Sequence, residues 1–575
     1  GILLIAGFIS QPVTAQVLTS DEGPVSTPGG DTLTDVEILG ARHLTIQKAN
    51  DSTTLQILAG NVRLKQGNSL FFCDSCVINN NTKIFEAWGK VHIKDADTAD
   101  VYSNHLRYLI DKKLAYLDGA VKLTDGKGTL TTPDLEYDMS TNIGIYTHGG
   151  RVVNGKTVLT SREGFYYADL RDVYFKKNVE LVDPAYFIKT DSLLYNTESK
   201  TTRFISQTFI KDSSGRTVET KEGYYNVGTG KAEFGNNPIV RDGPRIYKAR
   251  RMAFDDSAGT SQLLGNAIVV DTAEGTTIIA GEINSDNKKD RIMATRKPLM
   301  IVKQENDSIY IAADTLFSAR LSDLPRPKKD PVAKKDSIVQ DSLDNGEIVI
   351  TDSLTKDKPL TDTIAEVKIV KDTITDVKVV SVDDKPDSTF RYFEAFRNVR
   401  IFSDSMQAVC DSMFYSFKDS VFRLYQNPIL WAKESQVTGD TVIVYTKNKK
   451  ADYVQVFENS FLINQMDPDI FNQVKSTRMD AYFVDGSIDS VRAAGLAECI
   501  YFIQDEDSAY TGINESQCDV MDIYFEKDEL EKVVFRSQVT GTIWPIRQKS
   551  PSEMRLPNFN WLDEKRPKTK YELYE

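Results

Sequence analysis

A short pattern recurs along this chain at steps of about 29 residues, and such a period constrains the fold more than any single motif does. Its first copy is Gly60-Asn61-Val62-Arg63-Leu64, a turn-forming pair followed by alternating apolar side chains. A unit of this size cannot bury an apolar face alone and has to stack on its neighbours. Weaker copies are expected near Thr208 and Lys297, and the second residue of the clear copies falls at Asn61, Lys90, Ala120, Arg151, Asn178, Asn237, Asn266, Asn398, Asn427 and Asn459.

The alternation around these turns has a period of two residues, which indicates strands. Each copy also has a second half, in which Asp often opens a strand that ends in an aromatic residue, as in Asp191-Ser192-Leu193-Leu194-Tyr195. Gly, Asn and Asp suit the joints because they tolerate left-handed backbone or bond to it locally. The sequence therefore predicts an all-β, elongated body built from stacked repeats of about 29 residues.

Composition and hydropathy divide the chain into segments. A short apolar run ending in Val13-Thr14-Ala15 is typical of a secretory signal, with a buried N-terminal strand as the alternative. A later stretch is rich in Lys, Asp, Thr and Pro and predicts a disordered insertion. The predicted segments are a signal remnant over 1–15, a linker over 16–35, repeats over 36–320, the low-complexity insertion over 321–388, further repeats over 389–540 and a C-terminal tail over 541–575.

Several functions are disfavoured by residue types. Asp and Glu number 83 against 70 Lys and Arg, a net charge of −13, whereas nucleic-acid binders are basic. The chain has four histidines, none at metal-ligand spacing, and we expect no catalytic residues, no metal and no cofactor. Residues 150–157 match a phosphate-binding loop, but residues 158–164 lack the pattern of an amphipathic helix. The Cys73-Asp74-Ser75-Cys76 run predicts either a local disulfide or two buried thiols.

The repeated corners resemble the OstA-like family, here in a long, Bacteroidota-like form with an insertion. The resemblance lies in the Gly-Asn-Val turns and in the Ala-Asp pairs that open following strands, as at Ala99-Asp100 and Ala313-Asp314. It implies a V-shaped β-jellyroll with an apolar groove in an exported, periplasmic protein, associated with inner or outer membrane complexes. The implied role is not enzymatic: the groove shields the acyl chains of lipopolysaccharide or a related glycolipid on the way to the outer membrane. The implied protein partners are other envelope transport components, joined by strand-edge pairing.

Candidate lipid-binding residues are the apolar positions that the repeat places on one face. A groove needs a continuous apolar lining, because each buried CH₂ group contributes about 0.8 kcal/mol. A closed-core β-solenoid, acting as a scaffold or adhesin of the cell envelope, is the alternative, because the same positions would also fill a plain core. The candidates are Val62, Leu64, Val91, Ile93, Val121, Leu123, Val179, Leu181, Ile268 and Val399.

Overall fold

Strands make up nearly all the regular structure of the chain in its computed structural model, so the all-β prediction is confirmed. The structure describes residues 36–50, 53–95, 99–126, 128–303, 308–324, 390–447, 450–484, 487–526 and 529–574. The predicted signal remnant, the linker and nearly all of the predicted insertion lie outside these residues. Within them, no helix is long and apolar enough to cross a membrane. The chain divides into two units, Gly1–Glu198 and Ser199–Glu575.

Among its described residues, the first unit contains fourteen strands, which pair antiparallel with one another. In chain order they are β1 Glu37–Gly40, β2 His43–Asn50, β3 Thr53–Gln66, β4 Ser69–Asn79, β5 Ile84–Asp95, β6 Ala99–Leu109, β7 Leu114–Thr124, β8 Thr129–Asp138, β9 Ile143–Tyr146, β10 Gly150–Asn154, β11 Thr157–Ser161, β12 Glu163–Tyr167, β13 Asp172–Val182 and β14 Tyr186–Asn196.

In the part of the second unit that the structure describes, twenty-six strands follow the same antiparallel pattern. They are β15 Thr201–Phe204, β16 Thr208–Asp212, β17 Thr217–Thr220, β18 Glu222–Asn226, β19 Lys231–Gly235, β20 Ile239–Asp242, β21 Arg245–Lys248, β22 Arg251–Asp255, β23 Thr260–Asp271, β24 Thr276–Asp286, β25 Arg291–Thr295, β26 Leu299–Lys303, β27 Ser308–Ala312, β28 Thr315–Arg320, β29 Arg391–Phe402, β30 Gln407–Ser416, β31 Val421–Tyr425, β32 Ile429–Ala432, β33 Ser435–Thr438, β34 Thr441–Lys447, β35 Lys450–Asp467, β36 Ile470–Val484, β37 Ser487–Gln504, β38 Tyr510–Glu526, β39 Glu529–Arg536 and β40 Thr540–Pro545. Short 3₁₀ turns cover Leu321–Asp323, Pro551–Glu553, Asp563–Lys565 and Lys570–Leu573.

The recurring pattern forms a corner in which two successive residues have positive φ. Asn61, for example, has a φ of 49° and follows Gly60 at 79°, a region that only Gly and Asn enter readily. The ladder slips here: residues 53–59 of β3 pair with β2, residues 63–65 pair with β1, and the register with β4 shifts between Ala59 and Val62. The same doublet occurs at Gly89/Lys90, Gly119/Ala120, Lys177/Asn178, Asn236/Asn237, Gly265/Asn266, Arg296/Lys297, Arg397/Asn398, Gln426/Asn427, Glu458/Asn459, Gly495/Leu496 and Ser537/Gln538.

Each corner marks where the chain passes from one sheet layer to the other, either within a strand, as in β3, or between two strands, as between β19 and β20. We call the part before the corner of β3 the first layer and the part after it the second layer, and extend these names along the ladders. In the first unit the layers pack face to face. Phe71 of the second layer contacts Phe85 and Tyr108 of the first layer, with ring centroids 5.3 and 5.0 Å apart. The Tyr108 hydroxyl also donates a hydrogen bond across the interior to the buried Gln66 side chain, at 2.5 Å.

In the second unit the strands on either side of the predicted insertion pair directly with each other. Arg320 at the end of β28 lies opposite Arg391 at the start of β29, and the Leu321 N–H donates to the Phe390 carbonyl at 2.8 Å. Farther on, strands β35 to β38 have 15 to 18 residues each, so they extend beyond the length of the earlier repeats. The ladder of the second unit therefore continues directly from β28 to β29, and strands β35 to β38 are longer than those of the earlier repeats.

The C-terminal tail folds back over the second unit. We call residues 551–573 the strap; they lie on the second layer, on the face that points away from the interior. Met554 and Leu556 are buried in a cluster that includes Phe461, Ile463 and Phe502. At the other end of the strap, Leu573 is buried against Leu299 of β26 and Ala312 of β27. The tail expected from the sequence is thus docked along its length.

Candidate functional site

Nine of the ten candidate residues point into the interior between the layers. They are between 0 and 4% exposed, and each alternates with an outward neighbour, as the period-two pattern predicts. Eight of them belong to the first unit, and Val399 lies on β29 of the second unit. The nine residues are Val62, Leu64, Val91, Ile93, Val121, Leu123, Val179, Leu181 and Val399.

Ile268 lies on the other face of its strand. Its neighbours Ala267 and Val269 are buried, while Ile268 itself is half-buried and sits opposite Lys248 and Ile279 on the outer face. The assignment from sequence was one residue out of phase, because Ala-Ile-Val is apolar throughout and the small Ala267 is the residue after the corner. The inward positions of this copy are Ala267 and Val269.

The interior of the first unit is filled by large side chains. Phe71, Phe85, Tyr108, Tyr137 and Phe175 are each at most 2% exposed. Five aromatic side chains occupy most of the width between two packed sheets, which is about 10 Å. The candidate residues of this unit therefore pack against a filled core.

The second unit has an inward apolar row that is only half-buried. Val437, Leu462 and Val474 lie directly opposite one another on β33, β35 and β36, continuing the row that begins at the buried Leu430. We call this row the slot. Leu462 occupies the place in its repeat that Leu64 holds in the first copy, yet it keeps solvent contact where Leu64 is 0% exposed.

Small side chains explain why space remains at the slot. The positions deeper in the same layer are Ser460, Ser476, Ala497 and Cys518, four small side chains in succession. The corresponding row of the first unit alternates valines with small residues, as in the pairs Val62/Cys73, Val91/Ser103 and Val121/Thr132. Beside the slot, burial raises the pKa of the Cys499 thiol to about 12, so this side chain is neutral at physiological pH. The base of the slot is therefore lined by small, uncharged side chains, and such a surface suits the methylene groups of an acyl chain.

The rim of the slot is polar. The Asn464 amide donates to the Ser435 hydroxyl at 3.0 Å, and the side-chain oxygen of Asn472 accepts from the Phe502 N–H at 2.9 Å. Asn514 lies next along this edge, and its side chain is bonded to Ser516 at 2.8 Å. The slot thus passes from small residues at its base, through aliphatic residues, to neutral amides at its edge.

The outer face behind the slot is where the strap is bound. The buried Gln473 amide donates to the Met554 carbonyl at 3.0 Å and accepts from the Leu556 N–H at 2.8 Å. Gln436 makes the equivalent pair of bonds to the Asn560 carbonyl and the Leu562 N–H, at 2.8 and 2.7 Å. Sequence reasoning did not identify the slot or these two glutamines, although Ser460 stands where the other clear copies carry Val, Pro or Ala.

Two motifs with possible chemistry have structural explanations here. Residues 150–157 form the β10–β11 hairpin, with Asn154 opposite Thr157, so no helix follows the glycine-rich turn. Cys73 and Cys76 are both buried on β4, on either side of its corner, and are free thiols. The hydrogen bond with Cys73 and burial together raise the pKa of the Cys76 thiol above its usual range. The two-thiol interpretation is the one that this structure contains.

Comparison with known proteins supports the family resemblance. Residues 33–191 match the family described as OstA-like protein, which confirms the resemblance over the first unit. No curated protein matches the chain. The match ends before the second unit begins, so the repeated corners alone connect the second unit with the first.

Proposed function

From a chain whose residues 33–191 are OstA-like, we propose that this protein is a non-enzymatic periplasmic carrier of lipopolysaccharide or a related glycolipid toward the outer membrane. The OstA-like family is a periplasmic transport family, and the family match supports a role of that general kind. The observation that favours lipid binding is the slot, because half-buried aliphatic side chains between two sheets gain free energy when an acyl chain covers them.

The proposed contact residues differ from those expected from the sequence. Val437, Leu462 and Val474 would meet the acyl chains, since they keep solvent contact on the inward face. Residues such as Val121 and Leu181 would support the framework from inside a filled core. The neutral amides at the rim, including Asn464, would face the polar part of the glycolipid.

Strand-edge pairing with other envelope proteins is the second part of the proposal. β40 pairs with β38 along one edge, and among the described residues no strand pairs with its other edge. Ile543 on this strand is 67% exposed. An open edge of this kind can accept a strand from a partner. Inner or outer membrane complexes are the expected source of that partner.

The filled core of the first unit favours a second candidate function. A closed-core scaffold of the cell envelope needs no ligand, and the packing of Phe71, Phe85 and Tyr108 is what such a protein would show. The two functions make different predictions for the slot: a carrier binds acyl chains there, and a scaffold binds none.

A photo-crosslinking experiment distinguishes the two. A photoreactive residue is placed at Val437 or, as the matched control, at the adjacent outward Thr438 on the same short strand. The protein is then irradiated in envelopes that contain native glycolipid. We expect at least fivefold more glycolipid adduct from position 437 than from position 438. Equal labelling at the two positions, or none at position 437, would contradict lipid carriage in the slot and favour the scaffold.

A further inference from the structure

The residues that form the slot alternate along the chain with residues that hold the strap. Val437 follows Gln436 on β33, Leu462 precedes Ile463 on β35, and Val474 follows Gln473 on β36. Neighbours in a strand point to opposite faces, so each of these strands has one side chain in the slot and the next against the strap. A single sheet layer thus separates the slot from the strap, which lies on its outer face.

The strap is attached at separate points and forms no ladder with the sheet among the described residues. Gln473 and Gln436 each bridge a carbonyl and an N–H two residues apart in the strap. Farther along, the Arg566 side chain donates to the Gln407 side-chain oxygen at 2.8 Å and to the Lys433 carbonyl at 2.9 Å. Because the strap has a fixed length between these anchors, it fits only one spacing of the strands that carry them.

We propose that the strap positions the wall of the slot, so that strap docking and acyl-chain binding favour each other. This inference rests on the proposed function. Gln436 and Gln473 are positioning residues in it: they touch the strap and act on the slot through Val437 and Val474 on the same strands. Coupling between two sites is reciprocal, so a ligand in the slot must tighten the strap by the same factor by which the strap tightens the ligand.

The first test measures affinity in the full chain. A fluorescent sixteen-carbon fatty acid is titrated into the wild-type protein and into the double variant Gln436→Leu/Gln473→Leu. We expect the dissociation constant to rise at least fivefold in the double variant. Gln517→Leu on β38 is the matched control, since this glutamine is exposed on the outer face, and it should leave affinity unchanged. Arg566→Ala loosens the strap without changing the sheet and should also weaken binding.

The second test measures the reverse effect, which a merely structural strap would not show. Trypsin sites lie within the strap at Arg555, Lys565, Lys568 and Lys570. We expect a saturating concentration of the same fatty acid to slow cleavage at these sites at least fivefold in the wild-type protein. Binding with unchanged cleavage and unchanged affinity in the strap variants would overturn the coupling and leave the proposed function standing. No binding by the wild-type protein would overturn both.

Discussion

At the scale of single residues, the repeat is held by a hydrogen bond between successive copies. The Asn398 amide lies 3.2 Å from the Asp314 carboxylate, and the Asn459 amide lies 3.2 Å from the Asp440 carboxylate. Asn is therefore favoured twice at a corner, for its left-handed backbone and for its amide. This explains why an Asp before one strand and an Asn at the next corner recur together in the sequence.

The corner chemistry predicts an order of stability among substitutions at Asn398. Replacement by Ala should lower the free energy of unfolding by about 2 kcal/mol, since it strains a residue at φ 51° and removes the bond to Asp314. Replacement by Gly should cost about 1 kcal/mol, because Gly tolerates this φ and loses only the bond. Urea unfolding curves measure both. A larger loss for Gly than for Ala would contradict the backbone argument.

A second prediction at this scale concerns pH. The hydrogen bond from Arg492, with help from Arg536, holds the pKa of Asp522 below its usual range, and the Asp522 side chain is 5% exposed. The contribution of a carboxyl with a lowered pKa is present above its unfolded pKa of about 3.9 and is lost as the pH falls through the folded value.

Asp522→Asn should therefore lower the free energy of unfolding by about 2 kcal/mol at pH 7, and the difference from wild type should shrink below about pH 4. Chemical unfolding at both pH values gives the comparison. Asp507→Asn, in an exposed turn, is the control and should show no such change. A difference that stays constant down to pH 3 would mean that the charge of Asp522 contributes nothing.

At the scale of strands, a corner fixes the register while the outer ends of the strands remain free to vary. Successive strands range from 4 to 18 residues without any change in the pairing at the corners. The longest segment between two consecutive strands joins β28 to β29, and the ends of these two strands pair with each other at Arg320 and Arg391. The chain between these two residues closes a loop whose ends the ladder holds together.

Removing residues 325–389 and joining the ends with a short glycine-serine turn should leave the body folded. Loop closure depends weakly on length, so the free energy of unfolding should change by about 1 kcal/mol or less. Far-ultraviolet circular dichroism and thermal unfolding of the shortened chain measure this. A loss of the cooperative β transition would show that the insertion contributes to the core, contrary to the pairing of its flanks.

Much of this element-level picture is readable from the sequence, and the exceptions have physical causes. Alternation and turn residues identified the strands and nine inward positions, because a one-residue slip would expose every apolar side chain. Alternation fails at Ile268, where both faces are apolar. It also misses the slot, which depends on what faces Leu462 across the interior, and the strap, whose contacts are far apart in sequence and have no period.

At the scale of the whole molecule, the two units have different interiors. The first unit is packed with aromatic rings, whereas the second layer of the last repeats has small inward residues beside the slot and is covered on its outer face by the strap. In a repeat protein each strand depends mainly on its neighbours, so stability is expected to vary along the chain. The strap adds contacts far apart in sequence to the outer face of this part of the second unit.

Hydrogen exchange tests this uneven stability. Leu556→Asp with Leu573→Asp should release the strap, because a buried carboxylate without a partner is strongly disfavoured. We expect amide exchange to accelerate at least tenfold in β33, β35 and β36 and to stay unchanged in β3 to β8. The first unit serves as the internal control. Equal acceleration in both units would mean that the molecule unfolds as one cooperative body.

The hairpin turns at the strand ends recur at a regular spacing within each unit. Turns on the same side of a layer, such as those at residues 80–83 and 110–113, are two strands apart, which corresponds to roughly 10 Å. The pairing of β28 with β29 shows that such a turn can carry a long extra segment while the ladder continues beneath it. Tags, binding loops or fluorophores placed at successive turns would therefore stand at fixed intervals set by the backbone, so the same ladder offers graduated attachment points for measuring distance.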